Sequence, residues 1–271
     1  MTETIRILPG SNYLPGHDNT YQASELTRGP WHPDHQHAGP PIALACRAIE
    51  GVARQSGLTH VARLTANLLR PIPIGMLTVA VATDYAGRNA GHYSAQVLAD
   101  GKEVARLTAL VQRENPVRLP ASLTDAPHDV APRTLENSPL CQFPFAGPHI
   151  GYADLVETRL AKGRIFDGPC ATWFRLCFPL VRDEPTSDYQ RIAIFADSGN
   201  GISAPLDFAK YIFVNADITI NFLRKPLGEW ICLDAHSHVA PNGGGVTMSR
   251  LFDTEGLIGF ATQSLAVRQR E

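Results

Sequence analysis

At 271 residues the chain exceeds a typical single domain of roughly 100–200 residues, so one large domain and two fused units are both open. Its 44% hydrophobic and 18% charged residues supply a packed core and exclude a disordered chain. A net charge of −2 without a long Lys/Arg run leaves nucleic acid and anionic membrane without an electrostatic footprint, and no run of about 18 or more apolar residues could span a bilayer.

In chain order, MTETIRILPGSNY at the N-terminus lacks a charged-then-apolar secretory pattern, which assigns the chain to the cytoplasm. His32, His35 and His37, with His236 and His238 far downstream, invite a metal reading. No acidic partner motif or Cys pair accompanies them, so no metal and no other cofactor is assigned. Pro40 to Gln55 reads as a helix, with Ile42, Leu44, Ala45, Ile49 and Val52 near helical spacing. Proline suits its first turn, where the N–H needs no partner. Strands are predicted over 61–70, 76–85, 92–99 and 103–112, broken at Pro71/Pro73, Gly87/Gly91 and the hairpin signal Asp100-Gly101.

Residues 115–148 hold seven of the 21 prolines and read as an extended linker between 1–114 and 149–271. Beyond it, 187–210 supplies helical material, and 214–224, 229–239, 245–252 and 257–267 supply strands. Each half is therefore one helix followed by consecutive antiparallel strands, an α+β pattern given twice. The five cysteines lack a C-x-x-C spacing and fall in apolar stretches, which predicts buried free thiols.

The halves also echo one another. Thr65-Ala66-Asn67-Leu68-Leu69-Arg70 and Thr219-Ile220-Asn221-Phe222-Leu223-Arg224 share four of six positions at an offset of 154. A looser echo relates His37-Ala38-Gly39 to Asp197-Ser198-Gly199 at an offset of 160, which would make His37 the first-half counterpart of Asp197.

The second half carries Phe195-Ala196-Asp197-Ser198-Gly199-Asn200-Gly201, then Asn215-Ala216-Asp217, Arg224, Gly228-Glu229-Trp230 and Gln263-Ser264-Leu265. The first half carries Gly29-Pro30-Trp31 and, before its helix, His35-Gln36-His37-Ala38-Gly39-Pro40-Pro41. In this order the chain resembles the double hot-dog acyl-CoA thioesterases, the thioesterase II-like group. The resemblance implies two fused hot-dog units sharing a continuous sheet, an acyl-CoA thioester bound in a groove at a helix end, and a homo-oligomer, a dimer of double units. It assigns hydrolysis to an Asp, a Ser or Thr and a Gln that hold and activate a water. The Asp matches Asp197 and the Gln matches Gln263, while the Ser/Thr position falls on Asn215, a departure from the family pattern. An amide orients water by hydrogen bonds but does not do everything a hydroxyl does.

Read physically, Asp197 is a better base if burial raises its pKa above the ordinary value of about 3.9. Its alternative role is to cap a helix beginning around Gly199. Gln263 lies on the apolar face of its strand with Leu257, Ala261, Leu265 and Val267, where an unpartnered amide costs about 1–3 kcal/mol. It must therefore meet a backbone group, a water or a ligand. Asn215 also reads as a turn residue. His37, Gly39, Gly199 and Asn200 are assigned to substrate binding, the glycines because they let backbone N–H groups approach a thioester carbonyl at a helix start. No Gly-x-Ser-x-Gly elbow is present, which argues against a serine hydrolase. Two alternatives to hydrolysis stand beside it. One is a non-catalytic acyl-CoA or small-ligand binding protein, motivated by Asn215. The other is a hot-dog enoyl-CoA hydratase, disfavoured because its Asp-x-Asn-Pro-x-x-x-His order is missing.

Overall fold

The structure, a computed structural model, describes residues 7–124, 129–145 and 149–270. Its first half runs β1 (Tyr13–Pro15), β2 (Thr20–Ala23), α1 (Gly39–Gln55), β3 (His60–Leu68), β4 (Met76–Ala86), β5 (Ala90–Ala99) and β6 (Lys102–Gln112). A short helix α2 (Ala121–Thr124) and the two-residue strand β7 (Leu140–Cys141) follow. The second half runs α3 (Tyr152–Leu155), β8 (Val156–Lys162), β9 (Cys170–Leu176), α4 (Asp188–Ala196), α5 (Gly199–Ser203), β10 (Tyr211–Asn215), β11 (Asp217–Phe222), β12 (Ile231–Val239), β13 (Gly244–Asp253) and β14 (Gly256–Gln269).

The strands form one antiparallel sheet in the order β1-β2-β4-β5-β6-β3-β11-β14-β13-β12-β9-β8-β7, with β10 also paired to β14. Its two halves are mirrored about the β3–β11 seam. At that seam Thr65 pairs with Thr219, and their hydroxyls lie 3.1 Å apart. Since these two threonines are the matching positions of the hexapeptide repeat, the repeat is the strand that each half contributes to the junction. This is the fold of two fused hot-dog units, each sheet half curving over its own helix.

Burial decides where the helices lie. α1 buries Ile42, Leu44, Ala45 and Ile49 completely, and α4 buries Ile192, Ala193, Ile194 and Phe195 completely. At about 25 cal/mol per Å² of apolar area, such near-total burial is a main stabilising contribution of each unit. The helices run antiparallel in close contact, because a Cβ on Gly39 would stand 2.3 Å from the Ile194 carbonyl oxygen. At the other end Glu50 of α1 accepts from Ser187 Oγ at 2.8 Å and Gln190 Nε2 at 2.7 Å, the two residues that cap α4.

Three expectations need correction. The antiparallel helices make the 160-residue echo coincidental: α1 begins at Gly39, whereas the matching helix begins at Asp188 and Asp197 stands at its far end. The strand expected over 214–224 is two, β10 and β11, with Ala216 donating to the Ser264 carbonyl between them. Cys46, Cys170 and Cys232 are buried free thiols, but Cys141 is half-buried and Cys177 exposed, because both sit near the sheet's far edge. In the 115–148 segment, Pro127 and Pro148 lie outside the described residues.

Candidate active site

Asp197 is the C-cap of α4, and its side chain is only 4% exposed. The helix expected to begin around Gly199 does begin there, but its N-cap is Ser198 rather than Asp197 and makes no side-chain capping bond, while the Asp197 carboxylate turns toward the first half. Its Oδ2 accepts from the Gly39 N–H at 3.0 Å, at the first turn of α1, where the helix dipole favours a negative charge. His37 Nδ1 lies 2.9 Å from the same oxygen. Asn215 Nδ2 donates to Oδ1 at 2.7 Å and also approaches the Asp197 carbonyl at 3.2 Å.

The tautomer follows from these contacts. Gly39 N–H is also 3.3 Å from His37 Nδ1, but an ionised carboxylate can only accept. Nδ1 therefore carries the proton given to Asp197, Gly39 donates to the carboxylate, and Nε2 is left on the opposite edge of the ring. The plane of the imidazole is fixed by Tyr152 of α3, stacked on it at 3.8 Å with 7° between the rings. The Tyr152 hydroxyl is held in turn by the Ile194 carbonyl at 3.0 Å and Ser198 Oγ at 2.9 Å.

Gln263 is 2% exposed, and both ends of its amide are used within the protein. Nε2 donates to the Asp197 carbonyl at 3.1 Å, and Oε1 accepts from the Asn200 N–H at 3.0 Å. The partner its apolar strand face demanded is thus backbone on either side of the α4–α5 corner. Asn200 Nδ2 donates to the Phe213 carbonyl at 2.8 Å, tying that corner to β10. Asn200 Oδ1 and Asn215 Oδ1 are buried and meet no partner among the described residues. Both asparagines line a cavity of about 330 Å³ that Asp197 and His37 also border.

Burial alone would raise the Asp197 pKa, as expected from sequence. The opposing effects win: the adjacent imidazole, the Asn215 amide and the Gly39 N–H hold the carboxyl below its ordinary value. Three donors therefore hold Asp197 in its ionised form.

The glycines are used differently from expectation. Gly39 spends its N–H on Asp197, and Pro40 and Pro41 have none, so these three positions offer no free donor to a carbonyl. Gly199 is small for packing, since a Cβ there would stand 2.7 Å from Ser249 Oγ and 3.0 Å from Gln263 Oε1. Of the other histidines, His32 and His35 have ring centroids 4.4 Å apart, and His236 and His238 lie on β12 with ring centroids 3.9 Å apart. Among the described residues no group of three or more His, Cys, Asp or Glu is placed to hold a metal.

The cavity runs between the halves. Trp31, Phe145, Phe166, Phe208 and Phe213 form an aromatic wall, with Phe208 4.8 Å from Trp31 and 4.5 Å from Phe145. Leu68 and Ile72 face the same space from the first half. Sequence reasoning missed this wall and Tyr152. Neither had a local signal, because the five aromatics come from four separate segments and Tyr152 sits in a four-residue helix.

Residues 27–112 match the family profile described as the acyl-CoA thioesterase N-terminal domain, and residues 127–267 match the acyl-CoA thioesterase C-terminal domain. No curated protein matches the sequence. Among solved structures, a Mycobacterium marinum protein described as acyl-CoA thioesterase II TesB2 is similar at 17% identity and TM-score 0.68, covering 93% of this chain and 94% of its own. A tesB protein of Mycobacterium avium subspecies paratuberculosis has 15% identity and TM-score 0.66, with coverages of 94% and 95%. A conserved protein of unknown function with a hot dog fold from Alicyclobacillus acidocaldarius reaches TM-score 0.71 at 16% identity, with coverages of 95% and 96%.

Proposed function

The chain belongs to the acyl-CoA thioesterase family, and on that premise we propose that the Asp197 cluster is where it hydrolyses an acyl-CoA to the free acid and CoA. The observation that carries this reading is a buried, ionised carboxylate, bonded by groups from both halves, at the border of an apolar cavity. Hydrolysis of a thioester needs a positioned water, a group that takes its proton, and a dry site for the acyl body.

The aromatic wall supplies the last requirement, and favours acyl groups with an apolar or aromatic body. The free acceptors Asn200 Oδ1 and Asn215 Oδ1 can each receive a hydrogen bond from a water lodged beside Asp197. In this scheme Gln263 is a positioning residue, holding the Asp197 carbonyl and the Asn200 N–H in register. Arg70, exposed at the cavity rim, is the cation toward which the CoA phosphates would be drawn.

The test is a panel of straight-chain, branched and aromatic acyl-CoAs, with release of free thiol followed by a chromogenic reagent. Turnover is expected in the wild type and is expected to fall at least about 100-fold in Asp197→Ala. Equal turnover in the two proteins would remove Asp197 from the mechanism.

A further inference from the structure

The cluster contains two groups able to take a proton, Asp197 and His37, and their surroundings differ. Both Asp197 oxygens are already engaged: Oδ2 by the Gly39 N–H and His37 Nδ1, Oδ1 by Asn215 Nδ2. With a side chain 4% exposed, the carboxylate already takes three donors, whereas no donor among the described residues is bonded to His37 Nε2. His37 is 11% exposed and lines both the 330 Å³ cavity and an adjoining space of about 270 Å³. Its Nδ1 points at Asp197, so Nε2 lies at the free edge, and nothing among the described residues hydrogen-bonds it.

We propose that His37 is the proton acceptor of the reaction, its Nε2 taking the proton of the attacking water while Asp197 orients the ring through Nδ1 and balances its charge. The inference rests on the thioesterase reading above and assigns the base within it. The depressed pKa of Asp197 agrees with this division, since a carboxylate held below its ordinary range is a weak base but a good counter-ion for an imidazolium.

The steps balance. As the water oxygen bonds to the thioester carbon, its proton passes to His37 Nε2 and the carbonyl π pair moves onto oxygen. When that oxyanion collapses, the C–S bond breaks and the same proton passes from Nε2 to the CoA sulfur, leaving acid, thiol and neutral imidazole. Tyr152, stacked on the ring and anchored at Ile194 and Ser198, keeps the imidazole from rotating away. The site is thus assembled across the halves, base from the first and counter-ion from the second.

Two variants test this with the full-length protein. His37→Asn retains a nitrogen donor near the position of Nδ1, and so the bond to Asp197, but has nothing at Nε2. It is expected to keep the wild-type thermal transition and acyl-CoA KM while kcat falls by about 10²–10⁴. His37→Ala opens a space for added imidazole, which is expected to restore a saturable part of the lost rate, an effect that a purely structural role would not give. A His37→Asn enzyme within threefold of wild-type kcat, or a His37→Ala enzyme with reduced activity that imidazole leaves unmoved, overturns the proposal. A wild type that releases no thiol from any acyl-CoA overturns the underlying reading instead.

Discussion

The two ends of the α1–α4 pair occupy corresponding places in the two halves and differ in their residues. The seam makes the correspondence explicit: Thr65 pairs with Thr108 in one half as Thr219 pairs with Thr262 in the other, so Ala109 corresponds to Gln263. Likewise Val61 opposite Val111 corresponds to Asn215 opposite Leu265. At the Asp197 end, the polar members Asn215 and Gln263 surround a carboxylate held below its ordinary pKa. At the other end, the carboxylate is Glu50, its strand neighbours are apolar, and burial raises its pKa despite hydrogen bonds from Gln190 and Ser187. That end borders a space of about 280 Å³ lined by Val61, Val111 and charged residues such as Arg54 and Lys225, with no aromatic wall like that beside Asp197. Both ends thus retain a carboxylate beside a helix start, and the difference lies in the donors and in the wall. A carboxylate at a helix terminus is therefore insufficient for a site.

The largest test of that contrast is kinetic. Asp197→Asn is expected to lower kcat by about 10²–10⁴, because an amide cannot balance an imidazolium, while Glu50→Gln stays within about threefold of wild type. Comparable losses at both ends, measured by thiol release, would break the comparison. Next in size is Gln263→Leu, which gives β14 the apolar character of Ala109. It strands the Asn200 N–H and the Asp197 carbonyl, and is expected to cost about 1–3 kcal/mol in denaturant unfolding as well as most of the activity.

Asn215→Val copies the residue of the other end. By removing the donor to Oδ1 it is expected to raise the Asp197 pKa and reduce kcat about tenfold, read from the titration of the carboxyl by NMR and from turnover.

The smallest effects are in stability against pH, and their signs are opposite. Asp197 has a folded pKa below its unfolded value of about 3.9, so its ionised form stabilises the protein above that pH, and this is lost as pH falls through the folded pKa. Asp197→Asn is expected to lower the thermal transition at pH 7 and to converge on wild type in acid. Glu50 has a folded pKa above its unfolded value of about 4.3, so stability falls as pH rises from there through the folded pKa. Glu50→Gln is expected to gain on wild type across that window. Parallel shifts in the two variants would contradict the contrast.

Much of this architecture is legible in the residues. The hairpin signal Asp100-Gly101 and the alternating strands are local, and the helix over 40–55 appears as α1 within one residue. The hexapeptide repeat marked the duplication, and the structure shows its two copies to be the strands that join the halves. β8 and β9 were not anticipated: β9 is Cys-Ala-Thr-Trp-Phe-Arg-Leu with its first five residues buried, a run without the alternation that marks a half-exposed strand. Asp197, Asn215 and Gln263 were assigned through the resemblance to the thioesterase family, and Gln263 also by its place on an apolar face.

By itself, then, the sequence determined most of the elements, the internal repeat and the residue types that chemistry could use, since periodicity, turns and a buried polar residue are properties of neighbouring positions. Only the tertiary structure decided how those residues meet. The direction of the Asp197 pKa depends on His37 and Gly39, roughly 160 residues away in the chain and 3.0 Å or less in space. Sequence suggested that His37 mirrors Asp197 from the opposite half. The antiparallel packing of α1 on α4 makes it Asp197's direct partner, because it brings the start of one helix against the end of the other.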